Sequence, residues 1–339
     1  MTKNLTNSQI DRQNILNNEY AVEEIGKAID IKGVVFEGII RFDIKQIARF
    51  FDVEVRTIER YLENCKDELS TNGYEIIKGN RLKSFIEVIK NSTFATDINV
   101  GSKTRLIGLF NFRSLLNLAM LLVESENAKQ IRQVILDVVI DTINKKTGGN
   151  TKYINRRDQD FLIAYFSEEN YRREFTDALR DFVDAGAFKY AFFTNKIYIR
   201  IFLEKANEYR NILRLQSNDK VRDTFYSEIL DLVSSFECGF AEELESNYKV
   251  LMRKLTFFEA KSAFDNLSNK NHWNPLIEKV RMKMASRDYA FRDAIHPQLE
   301  EYITPLNKDE FEKFIGEKSM EFEKQLEAAK AVLKRLKER

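Results

Sequence analysis

The sequence predicts a mainly α chain with a minor β component (α+β), on three observations. Only 3 prolines and 12 glycines occur in 339 residues, and 32% of the residues are charged, the balance of a largely helical soluble protein. Apolar residues recur at three- and four-residue intervals through most of the chain after residue 112, which puts them on one helix face. Short β-type runs interrupt that spacing, mainly near the N-terminus.

A chain of this length can bury two or three substantial cores, and 26 Phe and 13 Tyr supply much of them. Five segments are expected. They are an N-terminal arm (1–30), a winged helix-turn-helix (31–92), a small α/β module (103–147), a large helical domain (151–310) and an amphipathic assembly helix (311–339).

Residues 1–19 are polar and Asn-rich, the composition of a mobile arm. Residues 20–32 carry a mixed pattern that fits either a strand or a short helix. A β-type run follows at Val34, Val35 and Phe36, ending at Gly38. Residues 43–68, DIKQIARFFDVEVRTIERYLENCKDE, are the most informative stretch. Ile44, Ile47, Ala48 and Phe51 keep a helical period, Val53 falls in a break, and Ile58, Tyr61 and Leu62 resume it. Two short amphipathic helices about four residues apart form the helix-turn-helix pattern. Asp43 can cap the first helix. Ala48 permits a close crossing, and Asp52 tolerates the left-handed turn position usually taken by Gly.

The second helix would show Glu54, Arg56, Thr57, Glu59, Arg60 and Glu63 to solvent. Side chains near the start of such a helix enter the DNA major groove. Arg56 and Arg60 can donate bidentate bonds to guanine, Thr57 can reach phosphate or a thymine methyl, and Glu59 can accept from a cytosine amino group. The carboxylates oppose phosphate, and a helical hairpin buried in a larger domain is the plainer alternative. A wing is expected next. Asn72-Gly73 turns the chain, residues 74–78 read as a strand, and residues 81–89 return as a strand or short helix. Lys78, Arg81 and Lys83 would then touch the DNA backbone or form a solvated basic turn.

Residues 91–102, NSTFATDINVGS, are the best early boundary. Residues 106–112 read as a strand and 113–123 as a helix. Ser125 can cap a further helix over 126–144, with Ile131, Val134, Ile135, Val138, Val139 and Ile143 on one stripe. Across residues 35–145 the segments DIKQIARFFDVEVRTIERYL, LFNFRSLLNLAMLL and SENAKQIRQVILD resemble the RhuM virulence-protein family, which shares its layout with phage antirepressors. The residues LLVES stand where RhuM-like chains usually carry a Gly-Tyr-Arg turn. The resemblance implies a bacterial or phage-borne DNA-binding protein and brings no catalytic residues.

A second break, KKTGGN (145–150), precedes helical spacing at 158–166, 171–183, 205–215, 220–236, 241–251, 257–267 and 275–285, with Pro275 in a first turn. At 191–202, AFFTNKIYIRIF, aromatic and β-branched residues alternate, which allows a β-hairpin around Thr194-Asn195. From Ile315 the positions Ile315, Ser319, Phe322, Leu326, Ala329, Leu333 and Leu336 alternate by four and three with Glu and Lys beside them. This is a coiled-coil-like seam, or one amphipathic helix laid on its own domain. Pairing through Phe322, Leu326, Ala329, Leu333 and Leu336 would present two recognition helices to a two-fold operator.

Catalytic patterns are absent. Arg292 and His296 lie one helical turn apart, but the stretch after His296 has no phosphate-cradling glycines, and a structural His is expected. Asp158 and Asp160 lack a third carboxylate at matching spacing. Cys65 and Cys238 are isolated and only 2 His occur, so no metal set and no cofactor is expected. The aromatic-basic stretches 171–173 and 196–200 fit a second nucleic-acid surface or the rim of an aromatic core. A net charge of +1 favours no partner class in bulk. With no signal-peptide core and no apolar run of about 18 residues, a cytoplasmic protein is expected, without a membrane role. The reading is a duplex-DNA binder, a non-enzyme, that forms a homodimer or joins a protein partner through its C-terminal helix. The rival is a protein-interaction subunit, a restriction or toxin-system partner with a degenerate DNA-binding fold.

Overall fold

The computed structural model describes residues 4–29, 31–90, 104–328 and 330. It is mainly helical with a small antiparallel sheet, and it divides into two compact units, residues 1–145 and 146–339.

The first unit begins with α1 (Gln9–Asn17) and α2 (Glu19–Ala28), capped by Ser8 and Asn18. Over its described residues the stretch expected to be a mobile arm is therefore part of the core, with Leu5, Ile15, Leu16 and Ile25 buried. Its polar composition has a structural cause. Arg12 donates to both oxygens of Glu68 (2.7 and 2.8 Å) and to the Leu5 carbonyl (2.8 Å). Glu68 also accepts from Asn117 (2.7 Å), and Arg113 reaches Asn72 (2.9 Å) and Asn17 (2.6 Å). Side chains that read as solvated in the sequence form a buried polar network.

Strands β1 (Val34–Phe36) and β2 (Ile39–Asp43) make a hairpin through Glu37 and Gly38, both at positive φ (52° and 77°), the two-residue turn whose twist suits paired strands. Helices α3 (Ile44–Phe50), α4 (Val55–Asn64) and α5 (Lys66–Thr71) follow. Strand β3 (Glu75–Lys78) leads into α6 (Gly79–Lys90), and β4 (Leu106–Phe110) into α7 (Phe112–Leu121) and α8 (Glu126–Thr147). The sheet order is β1-β2-β4-β3, antiparallel throughout. The hairpin expected from residues 74–89 is absent, because β3 pairs with β4. Residues 81–89 take the helical option instead. Leu82, Phe85, Ile86 and Ile89 fall on one side of α6 and pack on Val34, Phe36, Ile77 and Leu109.

Phe42 and Phe110, paired across β2 and β4, belong to a larger core that also holds Ile47, Phe51, Ile58 and most of α7. Every residue from Ser114 to Leu121 is buried, so α7 is the central helix of the unit. Ser125 accepts from the Ala128 N–H (3.0 Å), the cap expected for α8. The boundary proposed at residues 91–102 lies outside the described residues.

The second unit contains α9 (Phe161–Phe182), β5 (Val183–Asp184), α10 (Phe188–Phe202), α11 (Ala206–Ile212) and α12 (Ser227–Leu251). Next come β6 (Leu255–Thr256), parallel to β5, then α13 (Phe257–Ser268), α14 (Asn274–Arg292), α15 (Lys308–Ile315) and α16 (Phe322–Ala328). Pro275 sits in the first turn of α14, as expected. The hairpin expected at 191–202 is helix α10. Phe193, Ile197 and Ile201 recur every fourth residue and are buried, and Phe193 packs on Phe240 (4.9 Å) and Phe264 (6.1 Å). Tertiary packing overrides the strand preference of those residue types. The separate helices expected at 220–236 and 241–251 are instead a short 3-10 turn (Val221–Thr224) and the single 25-residue helix α12.

The four-three alternation from Ile315 does not lie on one helix. Ile315 ends α15 fully buried, Gly316 terminates that helix, and Ser319 lies between helices with its hydroxyl on the Gly316 carbonyl (2.6 Å). The chain becomes helical again only at Phe322. Among the described residues no helix is long and apolar enough to cross a membrane.

Candidate nucleic-acid interface

The α3–α4 corner is built by local chemistry. Asp43 accepts from the Gln46 N–H (2.7 Å) while the Gln46 side chain accepts from the Asp43 N–H (3.1 Å), a reciprocal cap on α3. At the other end the Val53 N–H donates to the Ala48 carbonyl (3.0 Å) and the Asp52 N–H to Arg49 (3.2 Å). Asp52 takes φ 52°, the left-handed position expected for it, and the pair of bonds is a Schellman stop. Ile47, Phe51 and Ile58 are fully buried and Ala48 nearly so, which fixes α4 against α3. Burying each of those large apolar side chains contributes about 1.5–3 kcal/mol.

Outward from Ile58, α4 exposes Arg56, Glu59, Arg60 and Glu63, with Thr57 half-buried. Arg56 and Arg60 lie one turn apart on the same side. Arg60 is engaged: its Nη2 pairs with Glu124, and its guanidinium lies over the Tyr61 ring at 5.3 Å. The Tyr61 hydroxyl donates to the second Glu124 oxygen (2.8 Å) and accepts from the Val123 N–H (3.2 Å). The bond to Glu124 moves the Arg60 guanidinium further up from its ordinary value. Partial burial pushes the Glu124 carboxyl up, but the bonds from Tyr61 and Arg60 outweigh that and leave it below its ordinary range.

Glu124 belongs to the stretch LLVES, residues 121–125, joining α7 to α8. Its neighbours bind the same corner: Ser125 donates to the Phe51 carbonyl (2.5 Å) and Asn127 to that of Phe50 (3.0 Å). Sequence reasoning missed Glu124, because 64 residues separate it from Arg60.

Lys78 ends β3 and Lys83 lies on α6, both exposed. Arg81 is committed within the sheet. It donates to both oxygens of Glu37 (3.0 and 2.5 Å) and both of Glu75 (2.9 and 3.2 Å), and Arg41 adds a 2.6 Å pair to Glu75. Its position in the first turn of a helix corrects its assignment to a wing. The Glu37–Arg81–Glu75 cluster was also missed, since its partners come from three elements.

In α16, Phe322 and Leu326 are each 39% exposed. Phe322 lies 6.5 Å from the Phe161 ring and Gln325 donates to the Arg156 carbonyl (2.7 Å), so this helix leans on its own unit. Ala329, Leu333 and Leu336 lie outside the described residues. The basic-aromatic stretches are engaged internally: Arg172 binds Glu237 (3.0 Å), Lys196 binds Asp265 (2.9 Å), and Arg200 binds the Ser268 carbonyl (2.9 Å).

His296 is buried between Glu204 (2.9 Å) and Asp288 (2.8 Å). Burial alone would depress it, but hydrogen bonds to both carboxylates prevail and raise it to about 9. Asp288 also accepts from Arg292 (2.7 Å) and Tyr226 (2.8 Å), which closes the network. Asp158 accepts from Ser227 (2.6 Å) and pairs with Lys313 (3.0 Å). Among the described residues no group of three or more His, Cys, Asp or Glu side chains could hold a metal ion. No family model matches the chain, and neither a curated protein nor a solved structure is found to be similar to it.

Proposed function

We propose that this protein recognises duplex DNA through α4, the second helix of a helix-turn-helix. It acts in this reading as a transcriptional regulator or targeting factor of a mobile-element or phage-defence locus. The observation that carries the reading is the orientation of α4. Ile58 is fully buried while Arg56, Glu59 and Arg60 stand exposed on the opposite side, next to a tight corner anchored from three elements. Arg56, near the start of α4, has the geometry of a guanine reader, Thr57 lies beside it, and Lys78 and Lys83 supply backbone contacts. The exposed Phe322 and Leu326 are available for pairing with a second copy, which would double the recognition helix.

The test is a binding titration of the full chain against duplexes selected from a random pool, repeated at several salt concentrations. Arg56→Ala should lower specific affinity by ~1–3 kcal/mol, the worth of one bidentate base contact. Unchanged affinity and unchanged salt slope would sink the assignment.

A second reading, a subunit that binds another protein, is favoured by one specific observation. Carboxylates alternate with the arginines of α4, and Arg60 and Arg81 are already paired with Glu124, Glu37 and Glu75. A surface of mixed sign suits a protein partner better than a row of phosphates. Failure of the full chain to bind any duplex at about 50 mM salt, where phosphate contacts are strong, supports this second reading.

A further inference from the structure

Glu124 is an acidic residue placed against the very arginine that the DNA reading needs, and it is held there by more than that arginine. Tyr61 donates to its Oε2 (2.8 Å), the Val123 N–H anchors Tyr61 (3.2 Å), and Ser125 and Asn127 tie the same turn to the carbonyls of Phe51 and Phe50. The carboxylate therefore belongs to a fixed turn rather than to a side chain that drifts in solvent. Arg60 and Glu124 are about half exposed (53% and 45%), so the pair faces whatever approaches α4.

We infer that Glu124 is a specificity-determining residue that reserves Arg60 for a neutral base edge and keeps it off phosphate. The inference rests on the DNA reading of α4. A guanidinium carries five donors, and Glu124 occupies Nη2, so other N–H groups stay open. A guanine edge, O6 and N7, is an uncharged acceptor and can take them. A phosphate brought to the same donors meets a carboxylate well inside the screening length of about 8–10 Å, and is repelled. The turn that carries Glu124 therefore filters ligands by charge: it subtracts from sequence-independent affinity and leaves the base contact intact.

The salt dependence of binding to a mixed-sequence duplex, measured on the full chain, reads this out. The log-log slope counts phosphates neutralised, at about 0.9 for each. Glu124→Gln should steepen the slope by about 0.9, as Arg60 gains a phosphate, and should tighten mixed-sequence binding at low salt. Glu124→Asp, which keeps the charge, should retain the wild-type slope. In the double variant Glu124→Gln with Arg60→Ala the extra slope should vanish, while Arg60→Ala alone should leave the wild-type slope unchanged. A purely structural role for Glu124 predicts no slope change tied to Arg60. The inference is overturned if Glu124→Gln keeps the wild-type slope although Arg56→Ala weakens binding. If the wild-type chain binds no duplex at low salt, the DNA reading itself fails and this inference falls with it.

Discussion

Arg287 in the second unit and Arg56 in the first carry the same guanidinium in opposite surroundings. Arg287 is fully buried between the rings of Tyr226 and Phe314, each 5.0 Å away, and donates to both oxygens of Glu228 (2.7 and 3.0 Å) and of Glu310 (2.7 and 3.3 Å). Arg56 stands exposed on α4 with acidic neighbours along the helix but none of that enclosure. Close to Arg287, the group Asp288, Arg292, His296, Glu204 and Tyr226 is enclosed in the same way. The contrast separates two uses of charge. In this enclosed set, charged groups were taken out of water at a desolvation cost and recover it only through mutual bonds, so none of these is open to a ligand without opening the fold. On α4, Arg56, Glu59 and Glu63 stand in solvent and can exchange their hydration for a partner at little cost.

The harshest test of this contrast is to delete one member of the enclosed set. Arg287→Ala removes the cation shared by Glu228 and Glu310 and leaves Glu228 with the cations Lys283 (2.6 Å) and Lys313 (3.5 Å) alone. Burial alone pushes the Glu228 carboxyl up, and it is Arg287 first, then Lys313 and Lys283, that holds it well below the ordinary carboxylate range. Loss of one partner from a buried pair costs about 3–5 kcal/mol. Trp273 is the only tryptophan and stacks on Phe236 (4.2 Å), so its emission in a urea titration follows the second unit. A midpoint unchanged by Arg287→Ala would break the comparison, because the network would then be ornament rather than support.

The next effect is a pH dependence. His296 is raised from 6.5 to about 9 in the folded chain, so the imidazolium binds its proton more tightly folded than unfolded. Its stabilisation is complete below pH 6.5 and is lost as the pH rises through 9. At about 1.4 kcal/mol per pH unit, that interval is worth about 3 kcal/mol. Trp273-monitored stability should fall by that order between pH 6.5 and 9.5. His296→Asn should start lower and lose the slope over that window. A wild-type profile that is flat there contradicts a charged His296 between its two carboxylates.

The same contrast explains what could be read in advance. The α3–α4 corner was legible because its determinants are local: Asp43 at a cap, Asp52 in the left-handed position, and Ile47, Phe51 and Ile58 at helical spacing. Residues 81–89 stayed ambiguous because one helical turn and one strand edge bury similar residues, and only the pairing of β3 with β4 decides. The described part of the arm at 1–19 departs from expectation because Arg12 and Asn17 find partners at Glu68 and Arg113, 56 and 96 residues away. The hairpin expected at 191–202 failed because the aromatic rings of α10 pack on α12 and α13, contacts that no local window contains. The exposure of Arg56 followed from periodicity, whereas the pairing of Arg60 with Glu124 required the fold.

The smallest expected effect concerns the corner itself. Asp52 holds φ 52° at the stop of α3, a position where a Cβ is strained and glycine is not. Asp52→Gly relieves that strain but frees the unfolded chain, and the two nearly offset, leaving a gain of about 0.5 kcal/mol. Asp52→Ala keeps the Cβ and loses the short polar side chain that tolerates this region, so it should lose a similar amount. Amide exchange at Phe51, Val53 and Ile58 reads the first unit directly, while Trp273 emission reads the second. If the α3–α4 corner is held by backbone geometry and apolar packing and the set around Arg287 by enclosed charge, Asp52→Gly should slow exchange around α3 and α4 and leave the Trp273 midpoint where it was. A shift in that midpoint would mean that the two units do not keep separate accounts of stability, and the contrast between Arg56 and Arg287 could not be read as one between independent regions.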